Sequence, residues 1–515
     1  MRHLQQSDQI NELGGKDMRR MTGLAIALVV ACMGWVAPAL AAGTLKLAVS
    51  SNLNTLDPAK TKIGEEYIVN FLVFSGLTEI GRDGRIKPDL AERWTVSDDL
   101  KTWTFHLRKG VKFHHGREFD AQDVIATVAR IQDKATGSVT RVNFELIDKM
   151  EALDSHTVRF TLKAPYAGLA DIFSDRQARI VPRDKLDTLA RAPSGTGPFK
   201  LKSFTPGDRV EMEKNPDYYV KGVPQLDQVI MRIMPESAAQ SAAIETGEVD
   251  LVWNLPLESI DKFKKNPNLV IDSVPTSTWD GIIMNGAHKP FNDPRVRRAI
   301  SMAIDKPAMV ELALFGHGTP THTMIPPGHP FYNNDIKIGK PDLAAAKKLL
   351  ADAGFPNGFD ITLYTPVGRP TRERVGLAVR EMLKPLNIKV EIQRVPWDKF
   401  ISEIEGKEAF FVDGFYSRPT IDSSIYPWYH NNGSWNTTLW NYKNAEMDRI
   451  LEAARAARTE AEQKALYVKF QALALEDPPG VIPYVLNHVN AYRKNVKGFQ
   501  SSPMMWLDLR QVSTQ

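Results

Sequence analysis

Two short segments of this 515-residue chain carry side chains of the kind that do chemistry. His114-His115 is an adjacent imidazole pair that could hold a metal ion. No cysteine lies near it and Gly116 follows as a turn residue, so a solvated hairpin is the expectation. Ser194-Gly195-Thr196-Gly197-Pro198 has the composition of a reactive loop, but a tight turn entering a strand at Phe199-Lys200-Leu201 accounts for it better. The chain has no Gly-rich phosphate loop, no Gly-x-Ser-x-Gly nucleophile elbow and no His-Glu-x-x-His. No catalytic residue, no metal ligand and no cofactor is therefore expected, and an enzyme is the weaker reading.

A richer pattern is aromatic. Trp397, Phe415, Tyr416, Trp428, Tyr429, Trp435, Trp440 and Tyr442 gather in a polar segment that reads as largely loop. Each one singly is expected to close a core, whereas the cluster together is expected to form a binding wall. The elements that must position these residues are legible at several points. Thr44 to Val49 alternates as a strand, and so do Trp103 to Leu107 and His156 to Leu162. Asp293-Pro294 is a cap and first-turn pair opening a helix that carries Val296, Ala299, Ile300 and Ala303 on one face. Asp342 to Ala353 is a second helix, stopped by Gly354. Ala445 to Leu475 reads as one long helix ended by Asp477-Pro478-Pro479-Gly480. Strands and helices interleaved in this way predict α/β lobes with mixed sheets.

The length exceeds one ordinary core, so two or three folding units are expected. Lys+Arg 65 against Asp+Glu 61 leaves a small positive excess spread along the chain, without the concentrated basic stripe that nucleic-acid binding needs. The N-terminus carries the marks of an export leader. Met18-Arg19-Arg20-Met21 is basic, Leu24 to Val36 is apolar, and Ala39-Leu40-Ala41 offers small residues for cleavage. The apolar run is short for a membrane span. Residues 1–41 are thus read as a signal peptide, with Met18 a candidate start. The single cysteine, Cys32, lies inside this leader. Lipid attachment there is the less favoured reading, because Trp35 to Ala41 would leave apolar residues in the tether. Cleavage after Ala41 leaves a chain without disulfides, stabilised by its core alone.

The segment from Ala91-Glu92-Arg93-Trp94 through Trp103-Thr104-Phe105-His106-Leu107-Arg108-Lys109-Gly110 to Phe113-His114-His115-Gly116 closely resembles a signature of the family 5 solute-binding proteins of ABC importers. This family includes dipeptide, oligopeptide and nickel-complex binders. The resemblance runs from Leu45 to Phe499. It continues through Phe119 to Val124, Gly195 to Phe199, Glu245 to Asp250, Phe291 to Arg297 and Leu350 to Phe355. It implies a two-lobed α/β periplasmic-binding-protein fold with a two-crossover hinge. Lobe one would combine 43–74, 184–276 and 483–515, with 75–183 inserted as a subdomain, and lobe two would be 277–482. It further implies a periplasmic, monomeric importer subunit that closes on a peptide or peptide-like solute and presents it to a permease and ATPase complex. A non-transport binder, chemosensory or chaperone-like, and a periplasmic hydrolase are the alternatives.

Site residues carried over by the resemblance come mainly from the second lobe. Trp397 stands where the family often has a cleft tryptophan, and Gly414-Phe415-Tyr416-Ser417-Arg418-Pro419 matches a segment usually reading Gly-Trp-x-x-Asp-Tyr. In peptide binders that Asp pairs with the ligand's α-amino group, whereas here Arg418 reverses the charge. Arg418 could hold a carboxylate by two parallel hydrogen bonds; equally, it could sit in an internal ion pair with Asp422. Asp422 or Asp413 could still supply an anion. Asn52 and Asn54 fall in a first-lobe loop that the family presents to its cleft, and Trp253, Asn254 and Trp279 follow near the crossover strands.

Overall fold

The strand Thr44–Val49 buries Leu45, Leu47 and Val49 completely and, unlike a half-exposed strand, Ala48 as well. It lies in mid-sheet, parallel to Gln228–Ile233 on one side and Leu251–Val252 on the other. The structure, a computed structural model, describes residues 43–81, 83–418 and 420–515. The expected leader, Cys32 included, lies outside the described residues. Among these residues no helix is long and apolar enough to cross a membrane.

Three sheets organise the chain. The largest runs, edge to edge, through Leu269–Pro275, Tyr484–Arg493, Leu251–Val252, Thr44–Val49, Gln228–Ile233, Arg209–Lys214 and Phe199–Thr205. A second, also mixed, has the order Lys389–Val395, Asp360–Pro366, Phe410–Phe415, Trp279–Met284, Gly480–Val481. A third is a four-stranded antiparallel sheet formed within residues 91–162 and covered by the helix Ala121–Gln132. Its core stacks Phe105 edge-on against Phe160 and Phe173. These are two mixed α/β lobes and an inserted subdomain.

Apart from the short strand Gly318–Pro320, which pairs with Tyr484–Arg493 at the side of the large sheet, the chain passes between the two mixed sheets at two places. Thr276 to Thr278 link the strand ending at Pro275 to the one beginning at Trp279, and Ile482-Pro483 link Gly480–Val481 to Tyr484–Arg493. The crossovers are tied to each other: Thr276 N and Oγ1 donate to Leu486 O at 3.1 and 2.8 Å, and Leu486 N donates to Thr278 O at 2.8 Å. A hinge so constructed bends at a few residues while the sheets stay intact.

One expectation changes. The stretch from Ala445 is two helices, Ala445–Ala456 and Glu460–Glu476. Thr459 and Glu462 form a reciprocal capping box that starts the second, so the local cap overrides a continuous helical pattern. The His114-His115 pair sits at the tip of the expected hairpin, closed by Phe113 N donating to Arg117 O at 2.8 Å with His115 exposed, and it also clamps the Ser194–Gly197 loop. His114 N donates to Gly195 O at 2.8 Å, and His115 Nδ1 lies 2.7 Å from Ser194 Oγ. Burial draws the His114 imidazole down to about 4, so it stays neutral. Gly195 is required there, because a Cβ would come within 1.9 Å of Val73 O.

Candidate functional site

A cavity of about 870 Å³ opens where the inserted subdomain, the first crossover, the second lobe and the C-terminal segment meet. Its walls include Ile80, Gly168 and Asp171 from the subdomain, Pro275 and Ser277 from the crossover, Pro326 to Phe331 and Arg418 from the second lobe, and Met504. Its lining mixes apolar side chains with charged ones, Asp83, Arg85, Asp171, Arg418, Arg458 and Glu460 among them, and a concavity between parts that can move is a usual place for a small-molecule site.

Arg418 is brought there by the strand Phe410–Phe415 and by the residue just before it. Ser417 Oγ accepts from Ser277 N at 3.0 Å, and Ser417 N donates to Thr278 Oγ1 at 3.0 Å. The base of Arg418 is thus fastened to the crossover. Its guanidinium lies over the Phe415 ring, 4.8 Å from the centroid, half-buried. Among the described residues it makes no ion pair and no hydrogen bond. Burial first, and then the like charge of nearby Arg176, draw its pKa below the usual guanidinium range, with Asp175 and Tyr67 acting the other way. Arg176 is itself buried, its guanidinium 4.1 Å from the Tyr67 ring centroid and its Nε without a partner.

The internal ion pair considered for Arg418 is not formed. Asp422 accepts from Arg455 Nε at 2.8 Å and Nη2 at 3.0 Å, and from Tyr166 Oη at 3.2 Å. The geometry prefers Arg455 because both residues lie on neighbouring helices, Ile421–Tyr429 and Ala445–Ala456. Asp413 is likewise occupied, accepting from Arg372 Nη1 at 2.6 Å while Arg372 Nε bonds Asp280 at 2.9 Å.

The other expected residues are distributed more widely. Phe415 forms the floor beneath Arg418 and packs edge-on against Trp428 and Trp435. Tyr416 points outward, 56% exposed. Trp397 stacks on Phe400, with Arg369 4.5 Å above its ring. Trp279 is sealed in the second-lobe core against Trp428 and Trp440. Trp253 is buried in the first lobe, against His488 and so close to Gly64 that a Cβ there would fall 2.3 Å from its ring. Asn254 is exposed at φ +56°, its N–H donating to Asn490 Oδ1 at 3.0 Å. Asn52 is exposed and accepts from Gly207 N at 2.8 Å, and exposed Asn54 donates its N–H to Glu66 at 2.9 Å. The expected aromatic wall divides accordingly. Trp428, Tyr429, Trp440 and Tyr442 are core, because the segment folds as the helix Ile421–Tyr429 and the short π-helix Asn436–Trp440 rather than as loop. Sequence reasoning missed Tyr67, Asp171 and Arg176. The one signal, for Arg176 alone, was the polar run Asp175-Arg176-Gln177 flanked by the apolar pairs Ile172-Phe173 and Ile180-Val181.

Fold and cavity define a two-lobed binding protein, and comparison with known proteins says which. Residues 85–436 match the bacterial extracellular solute-binding proteins, family 5 (middle region), and the chain belongs to that family. Its relatives include the glutathione-binding protein GsiB of Escherichia coli K12, 31% identical over 496 residues that span 93% of this chain and 95% of GsiB. Among solved structures, AgaA of A. tumefaciens R10 in complex with agropinic acid is 29% identical with a TM-score of 0.78, covering 92% of this chain and 99% of AgaA. DppA of Helicobacter pylori in complex with the peptide STSA is 28% identical with a TM-score of 0.76, covering 92% and 98%.

Proposed function

We propose that this protein is the periplasmic solute-binding subunit of an ABC importer and that its solute is peptide-like and carries a carboxylate. The observation that carries the ligand chemistry is Arg418: a half-buried guanidinium on a cavity wall, beside a second buried arginine, that forms no ion pair among the described residues. A buried cation left unpaired is costly, and a solute carboxylate accepting two parallel hydrogen bonds removes that cost. The division of the chain into 43–74, 184–276 and 483–515, with 75–183 inserted and 277–482 as the second lobe, puts the cavity between bodies that separate about the crossovers. Capture is then by hinge closure, with the closed shape presented to the permease. No bond of the solute is made or broken. The relatives support the class, since the names GsiB, AgaA and DppA go with glutathione, agropinic acid and a peptide.

The test is mass spectrometry of solute released from the exported protein on denaturation, together with X-ray scattering before and after adding the identified compound back. A carboxylate-bearing small molecule and a reduced radius of gyration are expected. An uncharged or purely cationic solute would sink the ligand assignment, and an unchanged radius would sink capture by closure.

A further inference from the structure

With Asp413 bound to Arg372 and Asp422 bound to Arg455, both carboxylates that sequence position offers beside Arg418 are spent. The cavity nevertheless contains a carboxylate without a partner. Asp171, in the short helix Leu169–Ile172 of the inserted subdomain, lines the same cavity as Arg418. It is half-buried, and among the described residues its side chain makes no ion pair and no hydrogen bond. The charged and titratable groups that act on it or feel it are Asp422, Tyr166 and Tyr467. Asp422 is a like charge, and Arg455, which could have answered both, holds Asp422 with its Nε and Nη2. Burial, and then Asp422, push the Asp171 carboxyl up to about 7. A partly desolvated anion with a like-charged neighbour and no donor gives the free protein nothing. It is explained if a cation arrives with the solute.

The geometry points to Asp171 as the anchor for a protonated amine, so that the solute is a zwitterion held by its ammonium on the inserted subdomain and by its carboxylate on Arg418 of the second lobe. This rests on the reading of the cavity as the solute site. The two charges stand on different bodies of the protein, so a ligand bearing both bridges them. Its binding energy is then available only when the subdomain and the second lobe are together, which couples recognition to closure.

The experiment is calorimetry on the exported protein with a panel of di- and tripeptides, reduced glutathione among them, each in free, N-acetylated and C-amidated form. Free forms are expected to bind wild type, and N-acetylation to weaken them at least about thirtyfold, the lower range for truncating one partner of a desolvated charge pair. Asp171→Asn should abolish the distinction between free and N-acetylated forms while keeping the penalty for amidation, and Arg418→Gln should do the reverse. Equal binding of free and acetylated forms by wild type, or an Asp171→Asn protein that still tells them apart, overturns the amine anchor and leaves solute capture standing. If no member of the panel binds wild type, the peptide-like reading itself falls and the anchor with it. Should Asp171→Asn not fold, the comparison of free with acetylated peptides on wild type decides alone.

Discussion

At the scale of single residues, charge decides what the cavity can accept. Arg418 is fork-shaped, stacked on Phe415 and without an ion pair among the described residues, so changing its sign should cost more than removing it. Arg418→Glu is expected to weaken a carboxylate-bearing solute by roughly 2–5 kcal/mol, measured by calorimetry. Arg418→Lys should recover only part of that loss, since a point charge cannot offer two parallel hydrogen bonds. Asp171 sets a pH dependence. Its carboxyl is raised from 3.8 to about 7 in the folded protein, so between those values the native state holds a proton that the unfolded chain has released. Stability contributed there is present at low pH and is lost as pH rises through the folded value. Thermal melts of the ligand-free protein from below 3.8 to above 7 should show this slope, and Asp171→Asn should flatten it. Affinity for an amine runs the opposite way, because only the ionised carboxyl attracts it, and should fall as pH drops through about 7.

At the scale of elements, the short segment after the strand Phe410–Phe415 does two jobs. Arg418 serves the cavity, and Ser417, one residue earlier, is buried and fastened to Ser277 and Thr278 in the crossover. Any rotation at the crossover therefore moves the arginine with it. Ser417→Ala would leave Ser277 N–H without its acceptor and is expected to lower stability by roughly 1–3 kcal/mol in denaturant unfolding. Solute affinity should also drop, because the arginine is no longer held in place. If affinity were untouched while stability fell, Ser417 would be a fold residue alone. The glycine loop shows the same economy. Gly195 and Gly197 lie against the backbone of Leu72 and Val73, at the end of the helix Gly64–Val73 that presents Tyr67 toward Arg176.

At the scale of the whole molecule, the inserted subdomain touches the second lobe through a small set of polar contacts. Tyr166 Oη donates to Asp422, Ala167 N donates to Arg455 O at 2.8 Å, Arg85 pairs with Glu460 at 3.2 Å, and Arg458 reaches Asp98 O. The exposed pair contributes little by itself. The half-buried Tyr166–Asp422–Arg455 group is different, since removing its cation leaves Asp422 beside Asp171 without compensation. Arg455→Ala is therefore expected to shift the ligand-free protein toward separated lobes, read as a larger radius of gyration in scattering. Saturating solute should restore the wild-type value, because the ligand then supplies the missing bridge. A ligand-free radius identical to wild type would show that these contacts do not set the equilibrium.

Local sequence determined the elements whose causes are local. Asp293-Pro294 starts its helix through a side-chain bond to Arg295 N, Gly354 stops another at φ +92°, and the alternating run at Thr44 is a strand. The motifs from Leu45 to Phe499 likewise sufficed for the family, because each is a contiguous run whose order is visible along the chain. The charge reversal at Arg418 was visible in the same way. Its consequence was not, because pairing depends on what lies within a few ångströms. Asp422 stands four residues from Arg418, yet it faces Arg455, thirty-three residues on. The carboxylate left facing the cavity comes from a subdomain some 250 residues earlier, about as far along the chain as Tyr166 is from Asp422. The aromatic cluster shows the same limit, as Trp428 and Trp440 turned inward against Trp279 while Tyr416 stayed in solvent. Residue type states what a side chain can bond, and only the packing of three bodies around one cavity decides which groups are already satisfied and which are left for a solute.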